Sequence, residues 1–371
     1  MTSSSFSQPD RRSLPLSPTV TAGGLVYVSG MRAGEEPAAL PADITAQTRA
    51  TLERVNAALG VSGISLHEAA SVTVYLKRAE DFAAMNEVYR TFVGDAPPAR
   101  TTVVAQMMRE DALLEISVVA AARGTARRVL HPKAWLRSPN PYSYAVEAGD
   151  TVFLSGLIAR NAADNSFAGG DMTAQSKAAL ENARAILAEA GLGFEHVVSA
   201  RVYITDRAQV HAMNAVYRTY FTADPPARAT VGAALMQPAY LVEMTFVASR
   251  SPKRVIAGDG APNSNCSPAI VAGSRLYLSG ARGVTPETRN DAGAQTRQAL
   301  RRLHDLIARA GFKTTDVVDS VVHLSQRQHF AVMNAAFREA MSPPFPARAT
   351  VETALVAPDG LVEIALTAAR K

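Results

Sequence analysis

Several things are scarce in this chain, and each scarcity removes a class of explanation. One cysteine, Cys266, in 371 residues excludes an internal disulfide framework and any CxxC metal knuckle. No apolar run approaches the roughly 18 residues needed to cross a bilayer. The N-terminal stretch from Met1 to Ser13 is polar and lacks the apolar segment of a secretory signal. A cytoplasmic protein without a membrane part is therefore expected. Lysine is limited to six positions. The basic excess of +5 is spread out, with no block longer than an arginine pair (Arg11-Arg12, Arg127-Arg128, Arg301-Arg302), so the clustering of a nucleic-acid stripe is missing. No P-loop and no glycine-rich turn after a strand is present, so no nucleotide cofactor is implied. At 47% apolar and 19% charged, the chain is too apolar to be disordered.

What the chain does have is a threefold repeat. Val-Tyr-Val-Ser29-Gly30 returns as Val-Phe-Leu-Ser155-Gly156 and Leu-Tyr-Leu-Ser279-Gly280. Met-Asn86 returns with Asn214 and Asn334, Pro-Ala-Arg100 with Arg228 and Arg348, and Leu-Glu115-Ile with Glu243 and Glu363. Asparagine to arginine is 14 residues in every copy, and arginine to glutamate is 15. The copies span 13–123, 138–250 and 262–370. The basic segments between them, Gly124–Arg137 and Ser251–Ala261, read as solvated connectors.

Each copy predicts the same elements. A β-branched hairpin strand follows Gly23-Gly24. Asp43, Asp171 and Asp291 stand as N-caps before a helical stripe, seen in Ile44, Thr48, Leu52, Val55 and Leu59 and again in Ala292, Thr296, Leu300, Leu303 and Ile307. Gly60, Gly191 and Gly311 end these helices. A strand at 72–76, a second helix carrying Phe82, Met85, Tyr89 and Phe92, a proline pair and two further strands complete a ββαβαββ order. That is an α+β layer with helices over one sheet face. The other face is also apolar, and three copies can bury it by turning it inward around a shared axis.

These motifs resemble the RidA/YjgF family, whose members are homotrimers of a chorismate-mutase-like fold. The resemblance implies three such domains forming an intramolecular pseudo-trimer, with a central β-barrel and outer helices, in a chain that is itself a monomer. It also implies clefts between domains where a small carboxylate-bearing enamine or imine is hydrolysed to a keto acid and ammonia, without cofactor or metal. By position, Arg100, Arg228 and Arg348 would clamp the carboxylate, and Glu115, Glu243 and Glu363 would activate water. Asn86, Asn214 and Asn334 fall at the pocket asparagine, and Gly30, Gly156 and Gly280 would line the pocket with backbone. Two positions depart from the family. Thr102, Thr230 and Thr350 replace the usual cysteine two residues after the arginine. The pocket tyrosine is present only as Tyr142, with Leu16 and Cys266 in the other copies, so three unequal pockets are expected.

The residue types suit that chemistry. Guanidinium can bond both oxygens of a carboxylate at once, and a positioned carboxyl can orient water and move protons. Plainer roles stay open: a strand-capping arginine, a solvent-facing strand glutamate, a core amide. The seven histidines share no repeat position, which disfavours a threefold histidine or metal site and gives no support to the ribonuclease label sometimes attached to the family. No lysine recurs, which separates the chain from the three-domain cyanuric acid hydrolase/barbiturase proteins and their Ser–Lys dyads. The other readings are a pathway-specific deaminase or cyclase on a larger, aminomuconate-like carboxylate, and a non-catalytic ligand-binding or chaperone-like protein.

Overall fold

The computed structural model describes residues 14–260 and 263–370; Ser13 and Pro262, which open repeats one and three, lie outside the described residues, as does the polar stretch before Leu14. Repeat one is built from β1 (Thr19–Ala22), β2 (Leu25–Met31), α1 (Ile44–Gly60), β3 (Ala69–Leu76), α2 (Phe82–Val93), β4 (Ala99–Val104), β5 (Gln106–Met107) and β6 (Leu114–Ala121). Its sheet runs β1-β2-β6-β3-β4, with β3 and β4 parallel because α2 carries the chain back between them. Repeat two supplies β7 (Arg127–Leu130), β8 (Ala145–Ala148), β9 (Thr151–Leu154), α3 (Met172–Glu189), β10 (Val197–Ile204), α4 (Val210–Tyr220), β11 (Ala227–Gly232) and β12 (Val242–Ser249). Repeat three supplies β13 (Lys253–Ile256), β14 (Ala269–Ala272), β15 (Arg275–Leu278), β16 (Ala281–Arg282), α5 (Ala292–Arg309), β17 (Val317–Leu324), α6 (Phe330–Ala340), β18 (Ala347–Glu352), β19 (Ala354–Leu355) and β20 (Val362–Ala369).

The aspartate caps form as the sequence requires. Asp43, Asp171 and Asp291 accept from the backbone N–H three residues on at 2.8, 2.8 and 2.9 Å. The apolar stripe of each first helix then lies on its sheet, and one core fills each repeat between sheet and helices. A second set of apolar side chains, including Ala22, Tyr27, Val146, Phe153 and Val318, packs between repeats on the opposite sheet faces. Strand alternation assigns the two sets. Leu114 and Ile116 point to the helices, and Glu115 points to the seam.

The three repeats close on one another in a fixed order. Val104 of repeat one donates to the carbonyl of Ala234 in repeat two at 2.9 Å, β11 of repeat two pairs with β19 of repeat three, and β18 of repeat three pairs with β5 of repeat one. The two strand pairings are two residues long, and three sheets wall the centre where a central β-barrel was expected. The connectors also differ from expectation. Residues 127–130 and 253–256 are edge strands, paired to β8 and β14. Their basic residues fasten backward: Arg127 donates to the carbonyls of Ala69 and Ala96, both at 2.8 Å, and Lys253 to those of Asp224 and Val197 at 2.8 and 3.2 Å.

Candidate functional site: arginine–glutamate clefts between repeats

Each seam brings the arginine of one repeat to the Ser-Gly turn and glutamate of the next. Ser155 holds Arg100: its hydroxyl accepts from the Arg100 N–H at 2.8 Å and donates to the carbonyl of Ser143 at 2.6 Å. Ser279 holds Arg228 in the same way, and Ser29 holds Arg348. Gly156 and Gly280 donate their N–H to the carbonyls of Arg100 and Arg228 at 3.0 and 3.1 Å. The glycine is required because a Cβ on Gly30, Gly156 or Gly280 would overlap the carboxylate of Glu115, Glu243 or Glu363 respectively.

The arginines rest on an aromatic floor supplied by the second helix of their own repeat. Tyr89, Tyr217 and Phe337 lie 4.9, 4.6 and 5.0 Å from the guanidinium carbons of Arg100, Arg228 and Arg348. Asn214 and Asn334 accept from their arginines at 2.8 and 2.5 Å, so these asparagines position the guanidinium. Asn86 instead donates to Asn140 of the following repeat at 3.2 Å. Arg100 compensates with two more rings, Phe82 at 5.5 Å and Tyr142 at 5.8 Å. Tyr142 therefore faces the arginine of the preceding repeat. Nη1 of both Arg100 and Arg228 is buried and has no hydrogen-bond acceptor.

The glutamates are buried on the opposite wall. Burial pushes the Glu243 carboxyl up to about 8, against the opposing pull of the Thr102 N–H and of Arg100. Burial likewise raises Glu363 to about 7, with Arg282 (3.7 Å away), the Thr230 N–H and Arg228 opposing. Thr102 and Thr230, which replace the family's cysteine, thus meet the glutamate through backbone N–H, a contact indifferent to the side chain.

The third cleft is different. Arg348, Glu115, Gly30 and Thr350 line a cavity of about 20 Å³ together with Leu14, Leu16, Arg32, Met108 and Phe330. That is room for about one water. Where Tyr142 stands in the first cleft, Leu16 stands here; in the second cleft the position holds the half-buried Cys266.

The seam serines, the aromatic floor and a buried glutamine on each first helix (Gln47, Gln175, Gln295) were not singled out from sequence as site residues. The serines and glutamines recur in register in all three copies, and that recurrence was the available signal. Among the described residues no cluster of potential metal ligands occurs, and no helix is long and apolar enough to cross a membrane.

Three α+β repeats with an arginine–glutamate pair in each seam define a protein of the YjgF type. A family model described as Endoribonuclease L-PSP matches residues 10–122, 133–250 and 260–370, and the chain belongs to this YjgF/RidA family. Protein DfrA of Myxococcus xanthus is 39% identical over 128 residues, which is 34% of this chain and 98% of that protein. The mouse 2-iminobutanoate/2-iminopropanoate deaminase is 32% identical over 112 residues, 30% of this chain and 83% of the mouse protein. Among solved structures, that of E. coli TdcF with bound serine is 28% identical, covers 33% of this chain and 99% of TdcF, and has a TM-score of 0.32.

Proposed function

We propose that the chain hydrolyses a small carboxylate-bearing enamine or imine to a keto acid and ammonia. The observation that carries this reading is the pair of buried guanidinium nitrogens, Nη1 of Arg100 and of Arg228, left without an acceptor on the wall facing a raised glutamate. A buried donor without a partner costs about 1–3 kcal/mol, and a substrate carboxylate removes that cost. With a pKa of about 8, Glu243 is mostly protonated at neutral pH and can deliver its proton to the terminal carbon of an enamine, giving the iminium. The resulting carboxylate takes a proton from water as the oxygen adds to the iminium carbon. It then returns that proton to nitrogen, which leaves as ammonia while the C=O bond forms and the hydroxyl proton passes back to the carboxylate, restoring the acid. The balance is enamine plus water to keto acid plus ammonia, with no redox step. The name of the mouse relative favours this reading over binding alone.

The clefts of Arg100 and Arg228 are the working ones in this reading; the Arg348 cleft, with room for about one water, is too small for the substrate. The test is ammonia release from freshly generated 2-aminoacrylate. Arg100→Ala and Arg228→Ala should each lower turnover, together about 100-fold or more, since truncating one partner of a buried charge pair costs about 2–5 kcal/mol. Arg348→Ala should leave turnover within about twofold while lowering the melting temperature. Full activity in the Arg100→Ala/Arg228→Ala double variant overturns the reading.

A further inference from the structure

The pseudo-threefold axis holds a cavity of about 80 Å³ that shares no lining residue with the third cleft and none of the arginines or glutamates described above. Repeat equivalence makes its construction plain. One ring of positions carries Ser71, Ser199 and Asp319; the next carries Thr73, Arg201 and Val321. Ser117, Thr245 and Thr367 add hydroxyls. On one side of the chamber lie Tyr27, Phe153 and Tyr277, and on the other side the strands continue into Tyr75, Tyr203 and His323. Burial, helped by Arg201, pushes the His323 imidazole down to about 3, so that side stays uncharged at neutral pH.

A ring of three identical subunits must place any axial charge three times over. This chain places one guanidinium and one carboxylate there, in different repeats, among hydroxyls. Arg201 and Asp319 stand 3.7 Å apart, beyond hydrogen-bond length, and both side chains keep surface open to the chamber although protein surrounds them. From this arrangement we infer that the axial chamber is a binding site for one small zwitterion, an α-amino acid no larger than about serine. The geometry selects the ligand. An α-amino acid holds its ammonium nitrogen and carboxylate oxygen about 3 Å apart, close to the Arg201–Asp319 gap. With charge-assisted bonds of about 2.8 Å on either side, four charges of alternating sign close a ring. A simple anion would meet Asp319, and a simple cation would meet Arg201. The hydroxyls serve the remaining donors and acceptors, as a buried polar ligand requires.

The inference is independent of the reading of the clefts, and its test separates the two. Calorimetry of the full chain with glycine should give one bound ligand, and acetate or methylamine alone should not occupy this site. Arg201→Thr and Asp319→Ser, which install the residues already present at the equivalent positions of repeat one, should each weaken glycine binding about 30-fold or more. The Arg100→Ala/Arg228→Ala double variant should keep it. Crystals of the wild-type chain soaked in glycine should show density between Arg201 and Asp319, a readout that needs no variant to fold. Three results overturn the inference: no glycine uptake, uptake unchanged in Arg201→Thr, or uptake matched by acetate and lost with Arg201.

Discussion

Glu243 and Glu363 are buried carboxyls whose folded pKa values, about 8 and about 7, lie above the ordinary value of 4.5. Between about pH 4.5 and 8 the folded chain therefore binds more protons than the unfolded chain, and the linkage relation makes stability fall as pH rises through that window. Thermal melts should decline from pH 5 to pH 9, and Glu243→Gln should flatten part of the decline. A melting temperature that rises with pH over this range would contradict the buried protonated carboxyl. The placement of these glutamates was legible in the sequence, because alternation set them opposite Leu114 and Ile116 and their equivalents. The role of the asparagines was not. Asn214 and Asn334 hold arginines while Asn86 holds Asn140, a difference made by a residue of the neighbouring repeat that one copy's pattern does not contain.

At the scale of elements, the first helix of each repeat is fastened to the loop before the glutamate strand by one glutamine. The Gln295 amide donates to the carbonyl of Asp359 at 3.0 Å and accepts from the N–H of Leu361 at 2.8 Å; Gln47 and Gln175 make the equivalent pairs. Gln295→Ala should cost about 2–3 kcal/mol in urea unfolding, since it leaves buried backbone groups unmatched; a loss below about 0.5 kcal/mol would show the loop held by other means. Polarity hides such a residue on an apolar stripe, where periodicity reads it as surface. The linker strands were hidden for a related reason. Lysine and arginine on a four-residue edge strand give no alternation to detect, although edge strands commonly carry such charges. The helices, by contrast, were readable almost to the residue, because cap, stripe and terminal glycine agree.

For the molecule as a whole, each seam is closed by another repeat of the same chain: one to two, two to three, three to one. Arg275 adds a clasp at one end of the axis, bonding Asp150 of repeat two at 2.7 Å and also the Gly23 carbonyl of repeat one. Light scattering should therefore report a single chain of 39.3 kDa. An obligate trimer of chains would refute closure within the chain.

The small size of the third cleft has a consequence for inheritance. In a ring of identical subunits, a codon change that fills one cleft fills all three, and selection on activity removes it. Here Leu14, Leu16 and Met108 line a single seam, while the position of Leu16 is taken by Tyr142 in one of the other two and by Cys266 in the next. Joining the three copies in one reading frame separates their fates. One seam is free to become glue, another to keep its chemistry, and the axis to carry a single guanidinium and a single carboxylate where a symmetric ring would carry three of each.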